Sequence, residues 1–381
     1  MKIVYVITSL ATQGGTERII AEKANYFAEN FGYDVTIICY IQETNTSNFY
    51  TLSDKVKQVN LGVQFYSQYK YKYPKRLWMK YKLRTQYKKA LTNAVLFINP
   101  DILIGITHFR SDSVCSINCK AKKIVESHIP RKSIELNYEN RLFIFKLYKQ
   151  LYDKRYHHIL EKKADVIISL TNDEYEQWSK AKRIKVIPDF STMVITQKSN
   201  CKSKRVIAVG RLRKEKGYDR LIDIWKSVSA KHSDWQLDIF GEGILKDELL
   251  SIIKENNVKN IFLQGVSHNI SQEYATSSIC AVTSYFEGFS LVILEAMKHG
   301  VPCVAFDCPE GPKSIIEDGE NGLLVENGNK SLFIEKLCTL MENDQLRQKL
   351  SKSAIERAKF FDTDKIMLQW KALFEELIKS T

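Results

Sequence analysis

Two glutamates eight positions apart, Glu287 and Glu295, flank a glycine loop that could bind a phosphate. An apolar run at 279–283 contains β-branched residues and precedes Gly288, and residues 290–299 have helical periodicity, which predicts strand, loop and helix. The first N–H groups of a helix lack intrahelical partners and carry partial positive charge, so this turn suits an anionic phosphate. Carboxylates on both sides could accept hydrogen bonds from hydroxyls, so the stretch fits a sugar nucleotide. The alternative interpretation is that Glu287 and Glu295 are exposed to solvent or cap a helix, because such glutamates would have the same spacing.

The composition indicates an ordinary globular protein large enough for two domains. The chain has 381 residues, 44% hydrophobic and 27% charged. Eight cysteines without metal-like clustering predict reduced core residues in a cytosolic protein. The apolar start carries Lys2 and runs into polar residues 12–18, so we expect a buried first strand and not a signal peptide. No apolar run approaches the ~20 residues that span a bilayer.

The excess positive charge lies in the first half of the chain. The formal charge is +13, and residues 1–190 contain 31 Lys and Arg against 18 Asp and Glu, whereas the remainder has 26 of each. Within that half, residues 65–89 interleave aromatic and basic side chains, as residues 141–163 do more weakly. A solvated basic helix with inward aromatics, a nucleic-acid site and a membrane-surface face all fit this pattern. No nucleic-acid-binding motif accompanies it, which disfavours the second interpretation.

The chain opens with a strand, the Gly14-Gly15 loop, a helix at 16–31 and a second strand at 34–40. This βαβ order predicts a parallel sheet with its ligand crevice at the carboxyl ends of the strands. His108 follows a strand predicted at 101–106, and His128 follows one at 122–126, so both histidines are expected to face that crevice. Each of them could equally be a hydrogen-bonded structural residue.

Several motifs resemble the nucleotide-sugar signature of retaining glycosyltransferases of family 4, which have the GT-B fold. These are Glu287-Gly-Phe followed after five residues by Glu295-Ala-Met, then Gly300-Val-Pro, together with Gly-Gly-Thr-Glu-Arg at 14–18. The resemblance implies an α/β protein with two Rossmann-like parallel-sheet domains facing each other across a cleft. We expect an acceptor-side domain at 1–188, a polar linker at 189–204, a donor domain at 205–360, and a C-terminal helix at 361–381 that crosses back to the first domain.

The resemblance also implies roles for single residues. Arg211 and Lys216 would hold the diphosphate and stabilise its departure. Glu287 would orient the sugar, Glu295 the ribose, and His108 the sugar or acceptor side; Glu287, His108, Arg211 and Lys216 form the expected catalytic set. The expected donor-binding residues are Gly15, Arg211, Lys216, Gly243, Val266, Glu287, Gly288, Phe289, Ser290, Leu291 and Glu295. The expected acceptor-side residues are Thr16, Arg110 and His128.

The implied reaction moves a sugar from a nucleotide diphosphate-sugar, with UDP favoured, to a saccharide hydroxyl with retention of configuration. The charge asymmetry favours a lipid-linked acceptor and an anionic membrane surface, as in bacterial cell-surface polysaccharide biosynthesis, with the protein in the cytoplasm or peripheral on the inner membrane face. We expect no cofactor, no metal and no nucleic-acid partner. A GT-B epimerase or phosphorylase and a non-catalytic carbohydrate-binding relative remain alternatives.

One further motif, Asp362-Thr-Asp364, has the D-x-D form of metal-dependent glycosyltransferases. In those enzymes the motif ends a strand beside the nucleotide, whereas here it precedes a C-terminal helix. Its position therefore predicts a helix N-cap and not a metal ligand pair.

Overall fold

The structure is a computed structural model that describes residues 1–43, 46–107, 109–129 and 143–379, without the side chains of 143–146, 148 and 149. The chain divides into two compact units. The described residues of the first unit run up to and include Ile129, then Phe143 to Ile187, and then continue from Ile366. The second includes Pro188–Lys365, so the segment predicted as a linker groups with it.

The first unit is built on a parallel sheet in the order β3-β2-β1-β4-β5-β6-β7. Buried β-branched and aliphatic residues form its central strands, as expected for a sheet covered on both faces. The polar, half-buried edge strand β3 was not predicted. The strands are β1 Lys2–Ile7, β2 Asp34–Cys39, β3 Lys57–Asn60, β4 Ile102–Ile106, β5 Lys122–Ser127, β6 Val166–Ser169 and β7 Ile184–Val186.

The helices of the first unit connect these strands. Those that lie between its strands in the described residues are α1 Gly15–Asn30, α2 Lys75–Ile98, α3 Ser111–Cys115, α4 Phe143–Lys163 and α5 Asn172–Tyr175, with 3₁₀ turns at Phe65–Lys70 and Glu176–Trp178. Helix α2 buries one seam, namely Leu83, Tyr87, Leu91 and Val95. The idea that the aromatic residues of 65–89 pack inward is wrong for most of them, because Tyr66, Tyr69, Tyr73, Trp78 and Tyr81 are exposed.

The second unit has a parallel sheet in the order β10-β9-β8-β11-β12-β13. The strand order reverses between β8 and β11, which is where ligands bind in open α/β sheets. Its strands are β8 Arg205–Val209, β9 Gln236–Phe240, β10 Ile261–Gly265, β11 Ile279–Val282, β12 Cys303–Asp307 and β13 Leu323–Glu326. Its helices are α6 Tyr218–Lys231, α7 Lys246–Glu255, α8 Ile270–Ala275, α9 Leu291–Lys298, α10 Pro312–Ile315, α11 Lys330–Glu342 and α12 Asp344–Ala358, with 3₁₀ turns at Lys214–Lys216 and Lys359–Phe361.

Helix α13, Thr363–Lys379, begins in the second unit and is grouped from Ile366 onward with the first. The Asp362 carboxylate accepts a hydrogen bond from the Asp364 backbone N–H at 3.0 Å, which confirms the N-cap interpretation of the D-x-D motif. Further along, the ring of Phe374 lies 5.2 Å from that of Phe27 in α1. Apolar contacts of this kind tie the end of the chain to the first unit.

All eight cysteines are free; six are buried, and Cys119 and Cys338 are half-buried. This agrees with the expectation of thiols inside apolar cores. In the part of the chain that the structure describes, no helix has the length and hydropathy needed to cross a bilayer.

Candidate active site

The loop between β11 and α9 has the strand, glycine loop and helix arrangement that the sequence predicts. Ser290 caps α9 with a left-handed backbone, φ 60°. Its side-chain oxygen is buried and, among the described residues, has no hydrogen-bond partner. A buried hydroxyl without a partner at a helix N-terminus costs free energy unless something binds it. The geometry therefore favours an anionic ligand at this turn.

Glu287 lies at the centre of a charged cluster beside that turn. One carboxylate oxygen accepts from the Lys216 ammonium at 2.8 Å and from the Ser284 hydroxyl at 2.5 Å. The second oxygen lies 3.0 Å from the same ammonium. Sequence reasoning assigned Lys216 to the diphosphate and Glu287 to the sugar, and the structure brings these two residues into direct contact.

The cations that follow β8 retain access to solvent. Lys216 ends a 3₁₀ turn and has 20% of its side chain exposed, whereas Arg211 has 44% exposed. The Arg211 guanidinium is 3.8 Å from Glu215, too far for a direct hydrogen bond. Both positive groups can therefore reorient toward an anion.

Packing fixes the backbone that carries this cluster. A Cβ atom on Gly217, which has φ +63°, would lie 2.1 Å from the carbonyl oxygen of Thr283, so the two loops meet where only glycine fits. Arg220 donates to the carbonyl oxygens of Thr283 and Ser284, each at 2.5 Å, and its guanidinium lies 3.9 Å from the ring centre of Tyr285. Arg220 was not singled out from the sequence, because one Arg in an amphipathic helix resembles a surface charge.

The loop after β12 packs against the other side of Glu287. The Glu287 backbone N–H donates to the carbonyl of Pro309 at 3.4 Å. A Cβ atom on Gly311 would lie 2.4 Å from the Cβ atom of Glu287. Gly311 therefore sets how closely this loop approaches the carboxylate, a constraint that the sequence pattern does not reveal.

The other predicted donor-binding residues of the β11–α9 loop and of α9 differ in how far they are buried. Glu295 is buried within α9, where the Tyr274 hydroxyl lies 3.4 Å from its carboxylate. The ring of Phe289 packs 5.3 Å from that of Phe361, so its backbone is the part suited to a ligand. Gly288 and Leu291 are half-buried at the mouth of the turn.

Two further residues predicted to bind the donor, Gly243 and Val266, follow β9 and β10. A Cβ atom on Gly243 would lie 2.3 Å from the carbonyl oxygen of Leu212, so glycine is required there by close packing. Val266 follows Gly265, which has φ +73°, and is 43% exposed. The donor-binding role of Gly243 and Val266 stays a prediction.

In the first unit, the predicted residues lie on separate loops. Gly15 is exposed and Thr16 half-buried in the first turn of α1. The guanidinium of Arg110 lies 3.7 Å from the ring centre of Phe65. His128 is buried, with Nε2 2.8 Å from the Glu126 carboxylate. His108, which was placed in the catalytic set, lies outside the described residues.

Among the described residues, no group of three or more His, Cys, Asp or Glu side chains could hold a metal ion. In the second unit, Lys216, Arg211 and the α9 N-terminus are groups that can stabilise anionic charge, and Glu287 is a group that can accept hydrogen bonds from hydroxyls.

The chain is similar to known proteins in sequence and in fold. Residues 192–357 match the family described as "Glycosyl transferases group 1". An uncharacterized glycosyltransferase of Haemophilus influenzae is 27% identical over 98% of this chain and 99% of its own. The N-acetylgalactosamine-N,N'-diacetylbacillosaminyl-diphospho-undecaprenol 4-alpha-N-acetylgalactosaminyltransferase of Campylobacter jejuni is 39% identical, over 43% of this chain and 45% of its own.

The fold also matches solved structures over nearly the whole chain. A mutant of Staphylococcus aureus TarM, in complex with Fondaparinux, alpha-GlcNAc-glycerol and UDP, superposes with a TM-score of 0.78 at 18% identity, covering 98% of this chain and 99% of that one. The prediction of two parallel-sheet units with the GT-B fold is thus confirmed, and so is the family resemblance, because residues 192–357 of this chain belong to the group 1 glycosyltransferases.

Proposed function

We propose that this glycosyltransferase moves a sugar from a nucleotide diphosphate-sugar, with UDP as the favoured nucleotide, to a saccharide hydroxyl with retention of configuration. The observation that carries the proposal is the Lys216–Glu287 pair beside the buried Ser290 hydroxyl at the start of α9, which has no hydrogen-bond partner in the part of the chain that the structure describes. A diphosphate at this turn would receive N–H groups and a cation, and the carboxylate would face the sugar hydroxyls.

The chemical roles follow from charge. The bond that breaks joins the anomeric carbon to the diphosphate oxygen, and the electron pair leaves with the diphosphate. Arg211 and Lys216 stabilise that added negative charge, which lowers the barrier. The acceptor hydroxyl attacks the same face of the sugar and gives up its proton to the leaving phosphate. Glu287 orients the sugar and Glu295 the ribose. His108 acts on the sugar or the acceptor side, and Thr16, Arg110 and His128 belong to the acceptor side.

Two relatives support the choice of substrates. The Staphylococcus aureus structure contains UDP, and the Campylobacter jejuni transferase is named for a diphospho-undecaprenol saccharide acceptor. We infer that the acceptor here is a lipid-linked saccharide in bacterial cell-surface polysaccharide biosynthesis, used at the inner face of the cytoplasmic membrane.

The test begins with ligand binding. Melting temperature is measured with a panel of UDP-, GDP- and ADP-sugars, because a ligand that binds only the folded state raises it. The donor that stabilises most is then incubated with lipid-linked saccharides, and the anomeric proton coupling of the product is read by NMR. An α-linked product from an α-linked donor is expected. Release of epimerised sugar, or a requirement for inorganic phosphate, would instead identify an epimerase or a phosphorylase.

A surface of the first unit supports the membrane part of the proposal. Residues 55–100 contain eleven Lys and Arg and no Asp or Glu. On α2, Trp78, Tyr81, Lys88 and Lys89 are exposed and lie, at helical spacing, on the side away from the buried seam. We call these four residues the aromatic-basic face. Basic groups attract anionic headgroups, and Trp and Tyr suit the membrane interface.

Vesicle co-sedimentation tests this face. The protein is expected to bind vesicles that contain anionic lipid at low salt and to bind the same vesicles less at high salt. It is not expected to bind neutral vesicles. Replacing Trp78 and Tyr81 by Ser should weaken binding. Phe97→Ser is the matched control, because Phe97 is 92% exposed on another side of the same helix. Equal binding by both variants, or binding to nucleic acid and not to vesicles, would contradict the assignment.

A further inference from the structure

A buried arginine lies beside the loop that carries Glu287 and has no role in the reaction described above. Arg220 is the third residue of α6 and is 7% exposed. Its guanidinium lies over two aromatic rings, 3.9 Å from the ring centre of Tyr285 and 4.6 Å from that of Phe306. Burial lowers the pKa of Arg220, but an arginine stays charged at neutral pH. The second unit therefore contains a fixed and enclosed positive charge.

Stability alone gives a poor reason for this charge. Taking a cation out of water costs free energy, and the N-terminus of a helix, where Arg220 lies, is already partly positive. The acceptors that the structure shows for its N–H groups are all neutral, namely the carbonyl oxygens of Thr283 and Ser284 and the side-chain oxygen of Asn327. Among the described residues, no carboxylate accepts a hydrogen bond from it. The charge of Arg220 is therefore left to act on an anion nearby.

The contacts of Arg220 set the direction of two backbone carbonyls. Nη2 donates to the carbonyl oxygens of Thr283 and Ser284, each at 2.5 Å, and Nε donates to that of Thr283 at 3.1 Å. These oxygens consequently point into the protein, toward the guanidinium. A carbonyl oxygen that pointed at the turn before α9 would repel a phosphate there, because both carry negative charge.

The same backbone carries the side chain that holds Glu287. The Ser284 hydroxyl donates to the Glu287 carboxylate at 2.5 Å, so Ser284 has its carbonyl fixed by Arg220 and its side chain bound to Glu287. β11 ends at Val282 and α9 begins at Leu291, and Arg220 thus fixes the first part of the loop between them. This loop lies at the reversal of strand order, where the ligand of an open α/β sheet binds.

We propose that Arg220 is a positioning residue for the donor diphosphate. Its guanidinium holds the carbonyls of Thr283 and Ser284 away from the turn at the start of α9 and places a positive charge beside this loop, so that the turn binds an anion more tightly. Arg220 itself does not touch the donor. The inference rests on the donor site proposed above.

The first test uses Arg220→Met, which removes the charge and the N–H donors but keeps an apolar side chain of similar length. UDP and uridine are the probes, or GDP and guanosine if the panel above selects GDP. The Kd of UDP should rise about 10-fold or more, because the turn loses a nearby positive charge and the orientation of its backbone. The Kd of uridine, which has no phosphate, should stay within about twofold. Both constants are measured by NMR titration, which covers millimolar values.

Arg347→Met is the matched control. Arg347 is also 7% exposed and donates to two carbonyl oxygens, those of Leu340 and Met341, at 2.5 and 2.9 Å. It also lies over a ring, that of Trp235, and none of its described hydrogen bonds reaches the loop between β11 and α9. Both variants should lower the melting temperature, but only Arg220→Met should lose affinity for UDP. Equal losses of UDP affinity in both variants, or no loss in folded Arg220→Met, would overturn the proposal.

Asn327→Asp decides the question if Arg220→Met does not fold. The exposed Asn327 accepts a hydrogen bond from Nη1 of Arg220 at 2.9 Å, and an aspartate can accept the same bond while its charge offsets that of the guanidinium. The Kd of UDP should rise about threefold or more, again without a change for uridine. Asn343→Asp adds the same charge at the exposed N-cap of α12 and should change neither constant. An unchanged Kd of UDP in Asn327→Asp would overturn the proposal as well.

The outcomes separate this inference from the proposed function. If UDP binds with the expected dependence on Arg220 but no sugar is transferred, Arg220 keeps its role and the proposed function fails. Sugar transfer with unchanged affinity for UDP in the folded variants would give the reverse result. If the unmodified protein binds no nucleoside diphosphate, both proposals are wrong.

Discussion

The two units carry charged clusters of opposite accessibility at the ends of their sheets. In the second unit, the side chains of Lys216 and Arg211 are 20% and 44% exposed. In the first unit, those of Lys23 and Glu126 are not exposed at all. An accessible cation can move onto a ligand and stabilise charge that develops there, whereas a sealed ion pair can act only through a neighbour such as His128. In the reaction proposed above, the accessible cations would act directly on the donor, whereas the sealed pair has no direct access to a ligand.

The largest effect is expected from the accessible cluster. Lys216→Ala removes a cation from the leaving diphosphate and leaves Glu287 without its ammonium partner, so kcat/KM should fall about 10²- to 10³-fold. Arg211→Ala should reduce transfer in the same direction. Steady-state kinetics with the preferred donor measure both changes, and far-UV circular dichroism should show intact folds.

Lys214→Ala is the matched control, because Lys214 lies in the same 3₁₀ turn but pairs with Asp219 at the surface. Its transfer rate should stay within about threefold, as expected for a surface ion pair. Near-normal turnover in both Lys216→Ala and Arg211→Ala would remove the leaving-group assignment and with it the contrast between the two clusters.

The sequence points to Glu287, Ser290 and Lys216 because each lies in a motif that is continuous in the chain, and their roles in transfer stay predictions. Glu287 and Ser290 lie in a strand, loop and helix signature, and Lys216 precedes a glycine that opens a helix. The strands predicted at 34–40, 101–106, 122–126 and 279–283 were likewise found from short apolar runs, which are also local patterns. The polar edge strand β3 was missed because its burial pattern depends on its neighbour β2.

The sealed cluster could not be found in this way. Lys23 lies in an amphipathic helix, where a Lys normally predicts a solvent face, and Glu126 lies in a strand that its other residues already mark as buried. Only the tertiary packing of α1 against the sheet makes them partners. The spacing Glu126-Ser-His128 was the one available signal, since alternate residues of an extended strand point to the same side.

A smaller effect should follow from changing the contact that positions Glu287. Gly311 has ample backbone freedom for Ala, with φ −95°, but the added Cβ atom would meet that of Glu287 at 2.4 Å. Gly311→Ala should therefore displace the carboxylate and lower kcat about 10-fold or more, since small misplacements at a reacting centre are costly. Donor binding should change less.

Gly319→Ala tests whether backbone strain alone could explain that loss. Gly319 has φ +78° and no atom within 4 Å of an added Cβ, so its replacement strains the backbone without a clash. Stability should fall by about 1 kcal/mol while kcat is unchanged. If Gly319→Ala slows transfer as much as Gly311→Ala, the packing of the β12 loop on Glu287 is not what matters.

The sealed cluster should be visible in the acid dependence of stability. The pKa of Glu126 is lowered from 4.5 to about 2 in the folded protein. Its contribution to stability is therefore complete above the pKa of the unfolded state and is lost as the pH falls through the pKa of the folded state. The difference in melting temperature between the unmodified protein and Glu126→Gln should narrow from about pH 5 to about pH 3. The difference in melting temperature between the unmodified protein and Glu29→Gln, which removes an exposed carboxylate of α1, should stay constant over this pH range. If that difference narrows as well, acid destabilises the protein in general and Glu126 is not the cause.

The smallest effect is expected at the end of the chain, where Asp362 caps α13 through the Asp364 N–H. Asp362→Ala removes this hydrogen bond and should lower the free energy of unfolding by about 1 kcal/mol, measured by urea titration. Transfer should be unchanged and insensitive to EDTA, because the carboxylate serves the helix and not a metal. Loss of activity with EDTA that Mn²⁺ restores, together with an inactive Asp362→Ala, would instead make the D-x-D motif a metal site and place a third charged cluster in the reaction.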